Sequence, residues 1–197
     1  MDLLMLQKKL EKVLSPFRYR HSLGVMDLAY KLALIYGVDQ EQAALAGLLH
    51  DVAREIEPPN LLALAKENKL FISETEKKAP LLLHGKVGSI LLSTTWGVND
   101  REVLEAVALH VTGAPKMSLL AQIIFISDFA EPGRDFFPSK VARKLAESDR
   151  ATALHFIFQQ EIAYLLNHGF LLEQATVEAW NQLIINGDLN HGRLNND

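Results

Sequence analysis

The chain has 197 residues, of which 49% are hydrophobic and 22% are charged, with a formal net charge of −4 and no cysteine. This length and hydrophobic content suffice for one domain with a sizeable core. The acidic balance argues against a nucleic-acid polymer or an anionic membrane as partner, and the lack of cysteine excludes disulfides, thiolate metal sites and cysteine nucleophiles.

The N-terminal stretch MDLLMLQKKLEKVL lacks both the basic start and the uninterrupted apolar stretch of a signal peptide. No segment has the roughly 18 consecutive apolar residues that predict a membrane span. We therefore expect a soluble, cytoplasmic protein.

Helical spacing and helix-boundary signals recur along the chain, whereas the alternation typical of strands does not appear. The first long periodic segment runs through residues 23–33 and stops at Gly37. The other predicted boundaries, in chain order, are the capping-box pair Asp39–Gln42, a helix start at Pro58, the pairs Ser73–Glu76 and Asn99–Glu102, a start at Ser118 and a stop at Pro132–Gly133.

The second half of the chain supplies further predicted helices, at about residues 81–95, 100–110, 119–131, 148–169 and 176–187. The sequence therefore predicts an all-α, single-domain protein of nine or ten helices. Residues 1–186 are expected to form the domain, and residues 187–197 a polar C-terminal tail.

Some polar residues interrupt or end apolar helical stretches, where an unpartnered group costs on the order of a few kcal/mol. Each alone is ordinarily a hydrogen-bonded core histidine or a helix-terminal charge. A divalent metal site accounts for them together, because the ion binds neutral imidazoles and carboxylates and offsets their desolvation. The six residues are His21, His50, Asp51, His84, His110 and Asp128.

The residue types limit the metal and its geometry. Nitrogen and oxygen ligands without thiolates suit iron, manganese, zinc or magnesium. His50 and Asp51 are adjacent, so on a helix their side chains point about 100° apart, and both reach one ion only at a helix end or bend. Three other histidines, at positions 155, 168 and 191, are assigned no chemistry.

A family resemblance rests on the ordered pattern of His21, His50–Asp51 and Asp128, an H…HD…D signature. Five longer segments restrict the resemblance to one subfamily. They are RYRHSLGV, AGLLHDVAR, LLHGKVGSILL, ALHVTGAPKMSLLAQIIFISDFAEPGRDF and TVEAWN. Over residues 18–181 the chain resembles the YqeK subfamily of HD-domain metal-dependent phosphohydrolases, the bacterial symmetrical diadenosine tetraphosphatases. The resemblance implies an all-helical HD-type bundle that cleaves dinucleoside tetraphosphates at the central phosphoanhydride to two nucleoside diphosphates.

The resemblance also implies roles for individual residues. His21, His50, Asp51 and Asp128 would bind the metal, preferably iron, with manganese, cobalt or zinc as alternatives. His84 and His110 would complete the catalytic pocket as second-metal ligands or phosphate contacts, and Arg54 keeps the charge of a usual lysine. The substrate contacts implied are Arg18, Asp51, His84, His110, Val111, Thr112, Asp128, Arg134, Leu171, Leu172, Glu173, Gln174, Ala175 and Thr176.

Two departures from the family pattern and two alternative functions stay open at this point. Val111 stands where the family commonly has threonine, and Glu173–Gln174 where it usually has His-Pro. The metal centre could instead serve an HD nucleotidase or a deoxynucleoside triphosphate hydrolase, and the altered loop is compatible with a nucleotide sensor without turnover. The expected partners are a small nucleotide and, at most, a second copy of the chain in a homodimer, with no nucleic acid and no membrane.

Overall fold

A computed structural model describes residues 3–186, which fold into eleven α-helices and one 3₁₀ helix and contain no strand. The elements are α1 (Leu3–Leu10), α2 (Pro16–Tyr36), α3 (Gln40–Leu49), α4 (Pro58–Glu67), α5 (Glu74–Lys78), the 3₁₀ helix (Pro80–Leu83), α6 (His84–Thr95), α7 (Arg101–Leu109), α8 (Leu119–Ala130), α9 (Phe137–Ser148), α10 (Arg150–Asn167) and α11 (Gln174–Ile185). The predicted all-α class is confirmed. The predicted tail at 187–197 lies outside the described residues.

Helix α8 lies at the centre of the bundle. Its sequence, LLAQIIFISDFA, is apolar on nearly every face, which is typical of a helix surrounded by others. It packs against α2, α3, α7, α9 and α10. Asp128 lies in its last turn, so the central helix carries one of the predicted site residues to its C-terminal end.

Most predicted helix boundaries are confirmed, and each has a local cause. Gly37 ends α2 in the left-handed conformation, with φ of 70°, that glycine adopts without steric cost. Ser118 caps α8 by accepting a hydrogen bond from the Ala121 N–H. Ser73 and Glu76 form the complete reciprocal capping box at the start of α5.

Two cap predictions and one element need correction. Asp39 caps α3 by accepting from the Gln42 backbone N–H, but the reciprocal bond of a capping box is not formed, and the Gln42 side-chain amide donates to Asp100. The cap of α7 is Asp100 and not Asn99, since the Asp100 carboxylate accepts the hydrogen bonds of the first turn. Helix α9 was not predicted. Its buried residues are Ser139, Ala142 and Ala146, and its sequence FPSKVARKLAES is amphipathic, so a helical signal was present in this segment.

Helix pairs pack closely enough to bring distant segments to one site. Gly47 in α3 lies against the backbone of α2, where a Cβ atom would meet the Met26 Cα at 2.9 Å. This close approach places the end of α3, with His50 and Asp51, beside His21 of α2. Between residues 3 and 186, none of the helices is both long and apolar enough to cross a bilayer.

Candidate metal centre

Three buried histidines stand at helix boundaries and are oriented by the same hydrogen bond. His50 and His110 follow the last residues of α3 and α7, and His84 begins α6 directly after the 3₁₀ helix. Each ring places Nδ1 next to the carbonyl three residues earlier, at 2.8 Å for His50, 2.6 Å for His84 and 2.7 Å for His110. Gly47 and Val107 lie in the last turns of their helices, where carbonyls lack intrahelical partners, and the Leu81 carbonyl accepts the His84 backbone N–H as well. In the neutral ring, the Nε2 lone pair is then directed into the site.

His21 is oriented by a carboxylate instead of a carbonyl. Its Nδ1 lies 3.1 Å from Oε1 of Glu131, a buried residue whose other oxygen accepts the Gly133 N–H. Gly24 leaves room for this carboxylate, since a Cβ at that position would collide with Oε2 of Glu131. A carboxylate on the far nitrogen of a histidine is a common arrangement at metal sites, where it fixes the tautomer and raises the basicity of the ligand.

The Nε2 atoms of these four rings converge on two carboxylates. Asp128 Oδ1 lies 3.0 Å from His21 Nε2 and 3.8 Å from His50 Nε2. Asp51 uses both oxygens: Oδ2 lies 3.6 Å from His50 Nε2, and Oδ1 lies 3.2 Å from His84 Nε2 and 3.6 Å from that of His110. The structure thus brings together all six residues that the sequence singled out.

The ionisation of the cluster follows from burial and mutual contact. Burial lowers the pKa of His50 to about 4, against the opposing charges of Asp51 and Asp128. Burial also lowers the pKa of His84. Burial alone would lower the pKa of His21 and His110, but hydrogen bonds to Asp128 and Asp51, respectively, outweigh it and raise both values.

The two carboxylates are ionised at neutral pH. Burial alone would raise the pKa of Asp51, but the surrounding imidazoles of His50, His110 and His84 hold its pKa well below the usual range. Burial likewise opposes the charge on Asp128, and Arg134 together with His21 lowers its pKa nonetheless. Two carboxylates facing four imidazole nitrogens provide the charge and lone pairs that a divalent cation requires.

The residues fit a divalent cation in two further respects. His50 Nε2 is fully buried and has no hydrogen-bond partner, which is costly for an acceptor unless a cation occupies its lone pair. The Nε2 atoms of His84 and His110 lie 3.1 Å apart while both Nδ1 atoms are already bonded to carbonyls. In the described part of the chain, three overlapping triads have ligand atoms within 4.8 Å of one another: His21–His50–Asp51, His50–His110–Asp128 and Asp51–His84–His110.

Two arginines flank the cluster, one at each carboxylate. Arg18 donates to Asp51 Oδ2 at 3.2 Å, and Arg134 donates to Asp128 Oδ1 at 2.7 Å. The segment that carries Arg134 is fixed by Arg143 of α9, whose guanidinium donates to the carbonyls of Ala130 and Glu131. Both predicted basic residues therefore lie next to the cluster, with charge available for an anionic ligand.

Two neighbouring cavities, one lined by cluster residues and one beside it, share part of their walls. The larger, of about 730 Å³, is lined by Arg18, Arg134 and the cluster residues other than the fully buried His50. The smaller, of about 590 Å³, is lined mainly by apolar and aromatic side chains, including Phe129, Phe136 and Tyr164. Val111, Arg134, Phe136 and Glu161 line both cavities, which places the apolar cavity directly beside the polar one.

The segment 171–176 contributes only part of its predicted residues to the smaller cavity. Leu171, Glu173 and Thr176 line it, as do the predicted Val111 and Thr112. Glu173 is also anchored by the Ser73 hydroxyl at 2.7 Å, and the Thr176 hydroxyl donates to the Thr112 carbonyl at 2.8 Å. Leu172, Gln174 and Ala175 do not line it, and the exposed Gln174 amide donates to Glu178.

Comparison with known proteins agrees with this geometry. The model of the HD domain family matches residues 18–131, a segment that begins at Arg18, ends at Glu131 and includes all six cluster residues. The chain belongs to the HD-domain family. It is therefore a hydrolase, and the resemblance stated from the sequence is confirmed.

Curated relatives of this HD-domain chain match it over most of its length. A symmetrical bis(5'-nucleosyl)-tetraphosphatase of Halalkalibacterium halodurans is 35% identical over 87% of the chain and 91% of the relative. The protein of that name in Bacillus subtilis is 31% identical with the same coverage. A crystal structure from Clostridium acetobutylicum, described as a predicted HD superfamily hydrolase involved in NAD metabolism, shares 38% identity and superposes with a TM-score of 0.92, covering 94% of this chain and 98% of that one.

Two acidic residues of the HD-domain site were not predicted. Glu131 comes three residues after Asp128, and this spacing places two side chains on one helix face. That spacing is the sequence signal from which Glu131 could have been predicted. Glu161 of α10 lines both cavities, and burial together with the charge of Asp128 raises its pKa to about 8. No local pattern in the sequence distinguishes Glu161 from an ordinary surface glutamate.

The histidines without assigned chemistry have other contacts. His155 stacks on Trp180, with ring centroids 4.6 Å apart, and the His168 ring bonds to the Tyr164 carbonyl. His191 lies outside the described residues.

Proposed function

We propose that this HD-domain hydrolase cleaves dinucleoside tetraphosphates, such as diadenosine tetraphosphate, at the central phosphoanhydride to give two nucleoside diphosphates. The observation that carries the proposal is a metal-ligating cluster flanked by two arginines and joined to an apolar cavity large enough for a nucleoside. The names of the relatives from Halalkalibacterium halodurans and Bacillus subtilis support the same substrate class.

We assign the metal to His21, His50, Asp51 and Asp128. A divalent cation, with iron proposed first and manganese, cobalt or zinc as alternatives, supplies Lewis acidity that lowers the pKa of water and neutralises phosphoryl charge. Glu131 keeps the Nε2 lone pair of His21 directed at this site.

The remaining polar residues bind and orient the phosphates. Arg18 and Arg134 lie at opposite carboxylates of the cluster, where their guanidinium groups can donate to phosphate oxygens on either side of the scissile bond. The Nε2 atoms of His84 and His110 can act in two ways. They can ligate a second cation with Asp51, or the protonated form that the raised pKa of His110 favours can donate to a phosphoryl oxygen.

The smaller cavity is the proposed site of one nucleoside. Its apolar walls, with the aromatic rings of Phe129, Phe136 and Tyr164, suit a base, and the polar side chains of Glu173 and Thr176 provide orientation. Its border at Arg134 is shared with the polar cavity, so a nucleoside bound there extends its phosphates toward the cluster.

Product analysis tests the proposal directly. The protein is purified anaerobically, its metal content is measured, and diadenosine tetraphosphate is incubated with the iron-, manganese- or cobalt-loaded forms. The expected product is ADP alone, two per substrate. AMP with ATP would contradict symmetrical cleavage, whereas activity confined to mononucleotides would identify an HD nucleotidase. Tight ADP binding without any turnover would identify a nucleotide sensor.

A further inference from the structure

The larger cavity has a second end, away from the apolar cavity. Phe17, Arg18 and Arg20 of α2 line it together with Arg54, which follows α3. None of these four residues lines the smaller cavity, which shares only its opposite wall with the larger one. The metal-ligating cluster therefore lies between an apolar cavity on one side and a wall of arginines and Phe17 on the other.

The order of contacts from the smaller cavity through the larger one supports this arrangement. The apolar cavity borders Arg134, and Arg134 contacts Asp128. On the other side, Asp51 contacts Arg18, whose guanidinium carbon lies 5.8 Å from the centre of the Phe17 ring. The sequence of groups runs from an apolar cavity, through one arginine and the metal site, to a second arginine and an aromatic ring.

The side chains at this second end suit a nucleotide. Phe17 is 67% exposed, so one face of an aromatic ring is available to a ligand. Arg18, Arg20 and Arg54 bring three positive charges to this wall in a chain whose formal net charge is −4. Burial lowers the pKa of Arg54 and the neighbouring charge of Arg18 adds to that effect, although Asp51, Asp128 and Glu55 oppose it, so Arg18 and Arg54 lie close enough to act on one ligand.

The proposed substrate has two equal halves on either side of the bond that is cleaved. Once one nucleoside occupies the apolar cavity and the central phosphates lie at the cluster, the second nucleoside diphosphate must leave the cluster on the Arg18 side. We propose that Phe17, Arg20 and Arg54 form a distal subsite for this second half, in which Phe17 stacks on the base and the two arginines contact the phosphates. This inference rests on the proposed function and adds the residues that distinguish a dinucleotide from a mononucleotide.

The test compares two substrates that differ only in the second nucleoside. Diadenosine tetraphosphate carries two adenosines, and adenosine 5'-tetraphosphate carries one on the same tetraphosphate. Since stacking of a base on an aromatic side chain accounts for roughly 5- to 100-fold in affinity, Phe17→Ala should lower kcat/KM for the dinucleotide by that factor. The same variant should leave kcat/KM for adenosine 5'-tetraphosphate unchanged, and Phe17→Trp should retain activity on both.

A second readout does not depend on turnover. Titration of the manganese-loaded protein with ADP, the proposed product, should give two ADP per chain in the wild type and a selective weakening of one of them in Phe17→Ala. Phe71→Ala is the matched control, because Phe71 is 82% exposed and lines neither cavity. Circular dichroism checks that each variant is folded.

Several results would overturn the distal subsite. These are a single ADP per wild-type chain at saturation, equal losses on both substrates in Phe17→Ala, or no loss on either. Failure of the proposed function gives a different result, namely that wild-type protein does not convert diadenosine tetraphosphate to ADP. The wild-type product analysis therefore separates the two failures.

Discussion

Replacing Glu131 with glutamine tests whether the orientation of His21 controls metal binding. The two oxygens of Glu131 accept from His21 Nδ1, at 3.1 Å, and from the Gly133 N–H. Glutamine keeps the shape but has one oxygen, so one of these donors must face an amide NH₂. Losing a hydrogen bond to a charged group costs about 1.5–3 kcal/mol. This agrees with the roughly 10- to 100-fold loss of metal affinity when the partner of a ligating histidine is removed.

The assay is the dissociation constant of Mn²⁺, measured by competition with a chelator in wild type and Glu131→Gln. We expect it to rise by roughly 10- to 100-fold, with little change in the circular dichroism spectrum. Glu147→Gln is the control, because Glu147 forms a surface ion pair with Lys31 at 2.7 Å and does not contact the cluster. A Glu131→Gln protein with wild-type Mn²⁺ affinity would refute the role of this carboxylate in the centre.

The remaining predictions concern two cluster residues, Asp51 and His50, and the flanking Arg134. Asp51→Ala should abolish metal binding and lower kcat by at least about 100-fold, because Asp51 contacts all four imidazoles. The helical circular dichroism spectrum should be retained. Wild-type turnover with full metal content would exclude this centre. Arg134→Ala should raise KM for diadenosine tetraphosphate by roughly 10- to 100-fold, and Arg134→Lys by less; unchanged KM and kcat would remove Arg134 from the site. In metal-free protein, the unfolded chain protonates His50 below pH 6.5, whereas burial delays protonation of the folded state to about pH 4. Stability should therefore fall by up to ~3 kcal/mol as the pH decreases across that window. In urea titrations His50→Gln should show a shallower decline, and a parallel decline would contradict the lowered pKa.

The helices were predictable to the extent that local signals define them. Ser73 with Glu76, Gly37 and Ser118 form their caps within one helical turn, so the sequence alone indicates where α5 begins, α2 ends and α8 begins. Helix α9 was not predicted although a local signal was present, since Val141, Ala142, Leu145 and Ala146 recur at helical spacing between charged residues. The cap of α7 was placed one residue too early because Asn99 and Asp100 are both good cap residues, and only the folded backbone selects between them.

The sequence by itself determined the chemical content of the centre: four histidines and two aspartates in apolar helical segments, without cysteine, and the pattern of the HD family. Only the tertiary structure decided how these groups meet. His21 and Asp128 are separated by 107 residues and lie 3.0 Å apart. The roles of Glu131, Glu161 and Phe17 likewise depend on which helix ends converge. Helix caps arise from hydrogen bonds over a few residues, whereas a cation site and a substrate cleft arise from packing between distant helices, and no local pattern encodes that packing.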